Sequence, residues 1–328
     1  MKLFLPQKTK MIQEAQSTGR GHSCWLEVFI FLLVFFITQT LVSIPVTVAT
    51  VIWMFVSTSP EEILSSGDLT ANMPDWIMLV QLFATVIPTV CTILFCRWIE
   101  KRNAASMGLR KSRILREYGI GTLVGILLIS VTMLLCTLGG GLTWRTGQFS
   151  LGLWLLFLVG FLIQGMSEEV LCRGYLMVSI ARRNSMAWAV ALNAVLFALL
   201  HILNPGIGIL PLINIALFGA LESVYVLKRG DLWGACAIHS LWNFFQGNVF
   251  GVSVSGTGSG TTILQATAVK GKEWLNGGAF GVEGGLAVTL VTAVTLLILL
   301  FLVPTRKDEI ATEDPLAEEA IPTESPSI

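Results

Sequence analysis

Two adjacent carboxylates and an arginine lie inside a run of residues that is otherwise apolar enough for a lipid bilayer. They are Glu168, Glu169 and Arg173. Ionisable groups inside a membrane helix are costly, so they are retained where they are paired or take part in chemistry. On a helix Glu169 and Arg173 share a face and can pair, whereas Glu168 points about 100° away. We therefore predict that Glu168 is the free carboxylate of an active site.

Two further polar clusters lie in later apolar segments. The chain has 3 histidines, of which His201 follows Phe197 by one helical turn and His239 precedes Asn243 by one turn. Both pairs have the spacing that places two side chains on one helical face. Taken singly, a histidine within the membrane is more commonly a hydrogen-bond partner between helices than a catalyst. Combined with Glu168, however, two imidazoles and an amide form a set suited to activating water.

Two chemistries are open to this set. In the first, Glu168 takes a proton from water as general base. His201, His239 and Asn243 then hold the water or stabilise the oxyanion that forms on a peptide carbonyl. In the second, Glu168, His201 and His239 bind zinc and leave one coordination position for water. The separate histidines lack His-Glu-x-x-His spacing, which argues against zinc. The favoured interpretation requires no cofactor, with zinc as the alternative.

The composition places these clusters in a membrane. Hydrophobic residues make up 54% of the chain and charged residues 13%, and the mean hydropathy is +0.74. Several apolar runs exceed the roughly 20 residues that span a bilayer. We predict an all-α, polytopic membrane helix bundle with about eight transmembrane helices. The predicted spans are 26–56, 75–97, 118–138, 151–181, 187–203, 208–227, 232–250 and 284–304.

Charge fixes the expected orientation. Most of the 21 lysines and arginines precede the first span or follow the second, fourth, sixth and eighth. By the positive-inside rule both termini face the cytoplasm, as expected for a multi-pass protein of the cell membrane. The Gly-, Ser- and Thr-rich segment 251–281 is then external, and its length suits a lid or a docking surface. Glu222 is predicted to be a membrane-embedded acid, and Asn193 and Asn214 to be hydrogen-bond partners between helices.

The chain divides into five parts on this interpretation. In chain order these are a cytoplasmic N-terminal segment (1–25), two spans with a basic cytoplasmic loop (26–104), the core that carries the three clusters (105–250), an external loop with the last span (251–304), and an acidic, disordered cytoplasmic tail (305–328).

Helix geometry sets one condition on the core. At about 1.5 Å per residue, Glu168 lies roughly 21 Å from Arg182, and His201 the same distance from Ala187. His239 is only about 12 Å from Asp231 on the same scale. The seventh helix must therefore be tilted or displaced if the three clusters are to meet.

The three clusters resemble the motifs of the CPBP family, which comprises CAAX prenyl proteases and bacteriocin-processing enzymes, also called Abi proteins. The family pattern is Glu-Glu-x-x-x-Arg, Phe-x-x-x-His and His-x-x-x-Asn, on separate spans and in that order. This chain carries it as Glu168 to Arg173, Phe197 to His201 and His239 to Asn243. The resemblance covers about residues 105–250 and is specific because all three motifs occur in order.

The resemblance implies an all-helical intramembrane endopeptidase with a water-accessible cavity. Glu168 would activate water, with Glu169 and Arg173 orienting it. His201 and His239 would complete the site, and Asn243 would stabilise the oxyanion. The family has been described both as metalloproteases and as metal-independent glutamate proteases. The implied partners are a peptide or membrane-protein substrate and the lipid bilayer, with CAAX processing, bacteriocin-leader processing and bacteriocin immunity all compatible. The sequence carries no nucleic-acid-binding feature.

Two other classes of function use the same residues. A transporter or ion carrier would line a proton or metal path with buried acids, histidines and Arg173. The sequence shows no repeated half, which many carriers have. A non-catalytic immunity or scaffold protein would use the fold to bind a partner.

Overall fold

The computed structural model describes residues 9–18, 21–57, 75–258 and 260–306. The predicted acidic tail lies, beyond Arg306, outside the described residues. The prediction of an all-α membrane bundle is confirmed, with a two-stranded sheet added at one end. The helices are α1 (Lys10–Thr18), α2 (Cys24–Ser57), α3 (Asp75–Ala84), α4 (Val86–Trp98), α5 (Ile114–Leu138), α6 (Leu151–Glu169, continued through Val170–Met177 and Val178–Ala181), α7 (Met186–Leu199), α8 (Ile209–Arg229), α9 (Trp233–Phe244, continued through Phe245–Val249), α10 (Glu273–Asn276) and α11 (Leu286–Phe301).

Each of the eight predicted spans contains a helix, but the helices differ in length. Among the described residues, 5 helical segments are long and apolar enough to cross a membrane. These segments are Cys24–Trp53, Asp75–Trp98, Lys111–Leu138, Leu151–Ala181 and Ile209–Arg229. Helices α7 and α11 are apolar but shorter, with 14 and 16 residues. The count of eight full crossings therefore stays a prediction.

A proline breaks the second predicted span. The helix ends at Ala84 and resumes at Val86, so that α3 and α4 meet at Thr85. Pro88 has no N–H to donate to the carbonyl one turn earlier, which is that of Ala84. The Thr85 hydroxyl donates to the Leu82 carbonyl at 2.6 Å and so satisfies part of the interrupted backbone. The predicted kink at Pro88 is present, displaced toward the N-terminus by the reach of the missing bond.

Helix α9 lies at the centre of the bundle, because glycines on its neighbours let backbones approach. A side chain at Gly121 or Gly125 of α5 would collide with the α9 backbone at Gly234 or Ile238. A side chain at Gly165 of α6 would collide with Ser240. Small residues serve this purpose in membrane helix packing. Every residue of α9 after Trp233 is buried, so this helix is displaced from the lipid, as the alignment of the three clusters requires.

The predicted external loop is an ordered cover. Strand β1 (Leu142–Thr146) pairs antiparallel with β2 (Leu264–Ala268), with Trp144 opposite Ala266. The segment then forms the short helix α10 and two 3-10 turns before α11 begins. At Gly256, whose φ is +86°, the loop approaches the Pro205 carbonyl too closely for a side chain. The segment therefore packs against the turn that follows α7.

On the predicted cytoplasmic side, a buried arginine stabilises α6. Arg102 is 1% exposed and donates to the carbonyl of Gly174 at 2.8 Å and to the Ser179 hydroxyl at 3.0 Å. Gly174 lies where α6 widens into a π-helical stretch, Val170–Met177. This part of the predicted basic loop is thus packed into the protein core.

We expect Arg102→Met to lower the free energy of unfolding by about 2–3 kcal/mol, because buried carbonyls lose a charged donor. Denaturant titration in detergent micelles would measure the change. Its exposed neighbour provides the control, since Lys101→Met should change stability by less than about 0.5 kcal/mol. Equal effects of the two substitutions would show that the Arg102 contacts do not stabilise the fold.

Candidate active site

The first cluster lies where α6 changes its helical form. Glu169 is the last residue of the regular α-helix, and the π-helical stretch begins at Val170. Such widened turns are common at functional sites in helices. The two carboxylates separate as predicted: the Glu169 side chain is 0% exposed, whereas that of Glu168 is 29% exposed. Glu168 is therefore the carboxylate that water can reach.

Glu169 forms the predicted ion pair with Arg173. The guanidinium Nη1 donates to Glu169 Oε1 at 2.8 Å, and both side chains are fully buried. Nη2 donates to the Gly219 carbonyl of α8 at 3.1 Å. The guanidinium carbon also lies 4.4 Å from the centre of the Phe197 ring, within cation–π range. Arg173 thus connects α6 with α7 and α8 and fixes the orientation of Glu169.

His239 lies between the two carboxylates. Its Nδ1 is 2.8 Å from Glu169 Oε1, and its Nε2 is 3.6 Å from Glu168 Oε2. Because the paired Glu169 carboxylate is an acceptor, Nδ1 carries the hydrogen and Nε2 faces Glu168. The rings of Phe197 and Phe218 flank the imidazole with centroids at 6.0 and 5.5 Å. The depth difference expected from the sequence is closed by the central position of α9.

His201 lies just beyond the helix that was expected to contain it. Helix α7 ends at Leu199, short of the predicted limit at residue 203, and His201 falls in the following turn. Its Nδ1 lies 2.9 Å from the Phe197 carbonyl, and the two rings are 5.0 Å apart. Since a carbonyl only accepts, the hydrogen is on Nδ1 and Nε2 is left for the cavity.

Gln164 connects the cluster on α6 with Asn243 and was missed by the sequence analysis. Its amide nitrogen donates to Glu168 Oε1, and its amide oxygen accepts from Asn243 Nδ2 at 3.1 Å. The available signal was a polar residue one turn before Glu168 in an apolar span, on the same helical face. Asn243 thus has one amide hydrogen engaged by Gln164 and a second to offer.

We expect Gln164→Met, which keeps the side-chain length, to lower kcat by about 10- to 100-fold with little change in KM. The substitution removes the bond that orients Glu168 while leaving the carboxylate in place. Steady-state kinetics on a cleaved peptide would measure it. If kcat were unchanged while KM rose, Gln164 would be a substrate contact instead.

One cavity gathers the predicted site residues. It has a volume of about 300 Å³ and is lined by Glu168, His201, His239 and Asn243. Glu169 and Arg173 are not among the lining residues, since they lie behind His239 and hold it. Apolar residues from several helices form the wall, among them Phe161, Phe218 and Trp242. The wall also includes Glu283, which the sequence analysis did not single out because it lies outside all three motifs.

The site geometry bears on the zinc alternative. Within the described ranges, one group of three side chains brings its potential ligand atoms within 4.8 Å of one another, and it is His22, Glu27 and Glu100. Glu168, His201 and His239 do not converge in this way. A tetrahedral zinc site needs its ligand atoms about 2.0–2.2 Å from one centre. The cavity residues, as they are arranged, do not fit zinc.

The other membrane-embedded polar residues have distinct places. Asn193 of α7 donates to the Ser223 hydroxyl of α8 at 2.9 Å, and Asn214 accepts from Thr289 of α11 at 2.6 Å, as expected for interhelical partners. Glu222 is 0% exposed, does not line the cavity, and has no hydrogen-bond partner among the described residues. It lies one turn beyond Gly219, on the side of α8 that meets Arg173.

The fold and the cavity together define a polytopic membrane protein with a polar site enclosed among its helices. Residues 150–245 match the family model described as type II CAAX prenyl endopeptidase Rce1-like, and the matched stretch contains all three motifs. The resemblance to the CPBP family is confirmed, and the family is one of CAAX-type intramembrane endopeptidases. No curated protein and no solved structure matches the chain.

Proposed function

We propose that the protein is an intramembrane endopeptidase in which Glu168 activates the attacking water. One observation carries the proposal: the water-accessible carboxylate of Glu168 faces His239 Nε2 at 3.6 Å across one cavity wall, while Glu169 holds the other side of that imidazole. Both Glu168 and Nε2 are acceptors. A water between them can donate one hydrogen to each and direct its lone pair into the cavity.

The reaction then follows from these positions. Glu168 accepts the proton as the water oxygen bonds to the peptide carbonyl carbon, and the carbonyl oxygen becomes an oxyanion. The second amide hydrogen of Asn243 can donate to that oxyanion, and His201 approaches it from the opposite wall. When the C–N bond breaks, Glu168 returns its proton to the leaving amine. The products are a carboxylate and an amine, and Glu168 is again ionised.

The same geometry supports a metal-independent reaction. Each histidine has one ring nitrogen engaged inside the protein, by Glu169 or by the Phe197 carbonyl. The remaining nitrogens do not converge with Glu168 on one centre. General-base catalysis needs only that Glu168 lie within reach of the water.

The family description suggests the substrate class. We propose a peptide whose cleavage site reaches the cavity from a membrane-anchored segment, as a prenylated CAAX peptide would. The apolar wall suits a lipid-bearing or apolar substrate segment.

Cleavage of a peptide panel by the protein reconstituted in liposomes tests the function. The panel pairs farnesylated CAAX peptides with the same sequences lacking the lipid, and mass spectrometry identifies the products. We expect cleavage of the lipidated member of at least one pair, with loss of the last three residues. Cleavage of neither member, together with ion flux that depends on Glu168, would favour a carrier instead.

A further inference from the structure

Two carboxylates line the cavity in the described structure, and only one of them belongs to the family motifs. Glu168 lies in the matched core, whereas Glu283 lies in the turn Val282–Gly284, just before α11 and outside residues 150–245. The titratable groups that line the cavity together with His201 are Glu168, His239 and Glu283. Glu283 is thus supplied to the site by the external segment.

The position of Glu283 is fixed at both ends of the residue. Its Oε2 accepts from the backbone N–H of Ser255 at 2.6 Å and from the Ser255 hydroxyl at 3.0 Å. Its backbone carbonyl accepts from Asn214 Nδ2 at 2.7 Å. Two donors on one carboxylate oxygen favour the ionised form. Contacts from both α8 and the external segment therefore aim this carboxylate into the cavity.

Electrostatics couple Glu283 to His201. Burial raises the pKa of the Glu283 carboxyl, while the Ser255 hydrogen bonds and the positive charge of His201 lower it in part. A charge on His201 can influence this carboxyl because both groups line the same low-dielectric cavity. The coupling is mutual, so an ionised Glu283 favours the protonated form of His201 by the same amount.

The hydrogen bonding of His201 gives this charge a purpose. Its Nδ1 hydrogen is directed to the Phe197 carbonyl. A neutral His201 therefore presents a bare, accepting Nε2 to the cavity, which cannot donate to an oxyanion. Only the imidazolium has a second hydrogen to offer, and an imidazolium in a membrane cavity requires a nearby negative charge. Glu168 cannot supply it during the reaction, because it is neutral once it has taken the water proton.

We propose that Glu283 is a positioning residue of the site, which acts as the counter-charge that keeps His201 protonated and able to donate to the oxyanion. This proposal rests on the proposed function. Each histidine then has its own carboxylate: Glu169 holds His239 from within the matched core, and Glu283 holds the charge of His201 from the external segment. The external segment thereby completes the site as well as covering it.

The test uses the reconstituted full chain and a cleaved peptide. Glu283→Gln keeps an oxygen that accepts from Ser255, so the turn is retained and only the charge is lost. We expect kcat to fall at least tenfold with KM changed less than about twofold. Glu283→Asp, which keeps the charge, should recover part of kcat. The matched control is Glu273→Gln, an exposed acid of the same external segment, which should cleave like the wild type.

A double-mutant cycle separates a charge role from a merely structural one. In the His201→Gln background, Glu283→Gln should cause little further loss, because its only proposed target is gone. Additive losses, or full kcat in Glu283→Gln, would overturn the proposal even if Glu168→Gln abolishes cleavage. Undiminished cleavage by Glu168→Gln would instead overturn the proposed function, so the two failures are distinguishable.

Discussion

Replacing Glu168 by glutamine is expected to lower kcat about 1,000-fold, the scale of a lost general base. Glutamine has nearly the same size and keeps an oxygen that accepts from Gln164, but it cannot take the proton from water. The cavity should therefore survive while the chemistry stops. Single-turnover cleavage of a saturating peptide measures the chemical step without interference from product release.

The control for this variant must show that the protein remains folded. Thermal unfolding in detergent should place Glu168→Gln within a few degrees of the wild type, because this side chain is partly exposed and its replacement is isosteric. Glu273→Gln tests for a general effect of losing one acid. Activity of Glu168→Gln within about threefold of the wild type would rule out Glu168 as the base.

Replacing Arg173 by methionine is expected to lower the free energy of unfolding by about 3–5 kcal/mol, the largest stability effect we expect. The substitution leaves the fully buried Glu169 carboxylate without its partner at 2.8 Å. It also removes the donor to the Gly219 carbonyl and the contact with the Phe197 ring. Cleavage should fall as well, because Glu169 also orients His239. Denaturant titration and kinetics on the same preparation measure both effects.

An arginine at the end of the same helical segment gives the matched control. Arg183 donates to the Gly21 carbonyl at an exposed position, so Arg183→Met should change stability by less than about 0.5 kcal/mol. If Arg173→Met were as stable as Arg183→Met, the ion pair would not be part of what holds α6, α7 and α8 together.

The local parts of the site could be predicted from the sequence. The pairing of Glu169 with Arg173 follows from their spacing on one helix, and the exposure of Glu168 follows from that pairing. The order of the three motifs identified the family over residues 150–245. Hydrophobic run lengths located the helices, because the bilayer sets a minimum length for apolar segments.

The remaining features depend on contacts that no local pattern encodes. The central position of α9 follows from glycines on two other helices, and it explains why His239 reaches Glu169 despite its short distance along the chain from Asp231. The π-helical stretch after Glu169 leaves the hydrophobic pattern unchanged. Glu283 reaches the cavity through a segment without regular periodicity, held by Ser255 and Asn214.

The most direct test of the central claim is the metal content of the purified protein, measured by elemental mass spectrometry alongside its cleavage activity with and without chelator. Glu168 acting as base on an unbound water predicts metal-free protein that cleaves equally well in chelator and loses cleavage in Glu168→Gln. About one zinc per chain, with activity lost on chelation and restored by zinc, would contradict this mechanism and establish a metalloprotease.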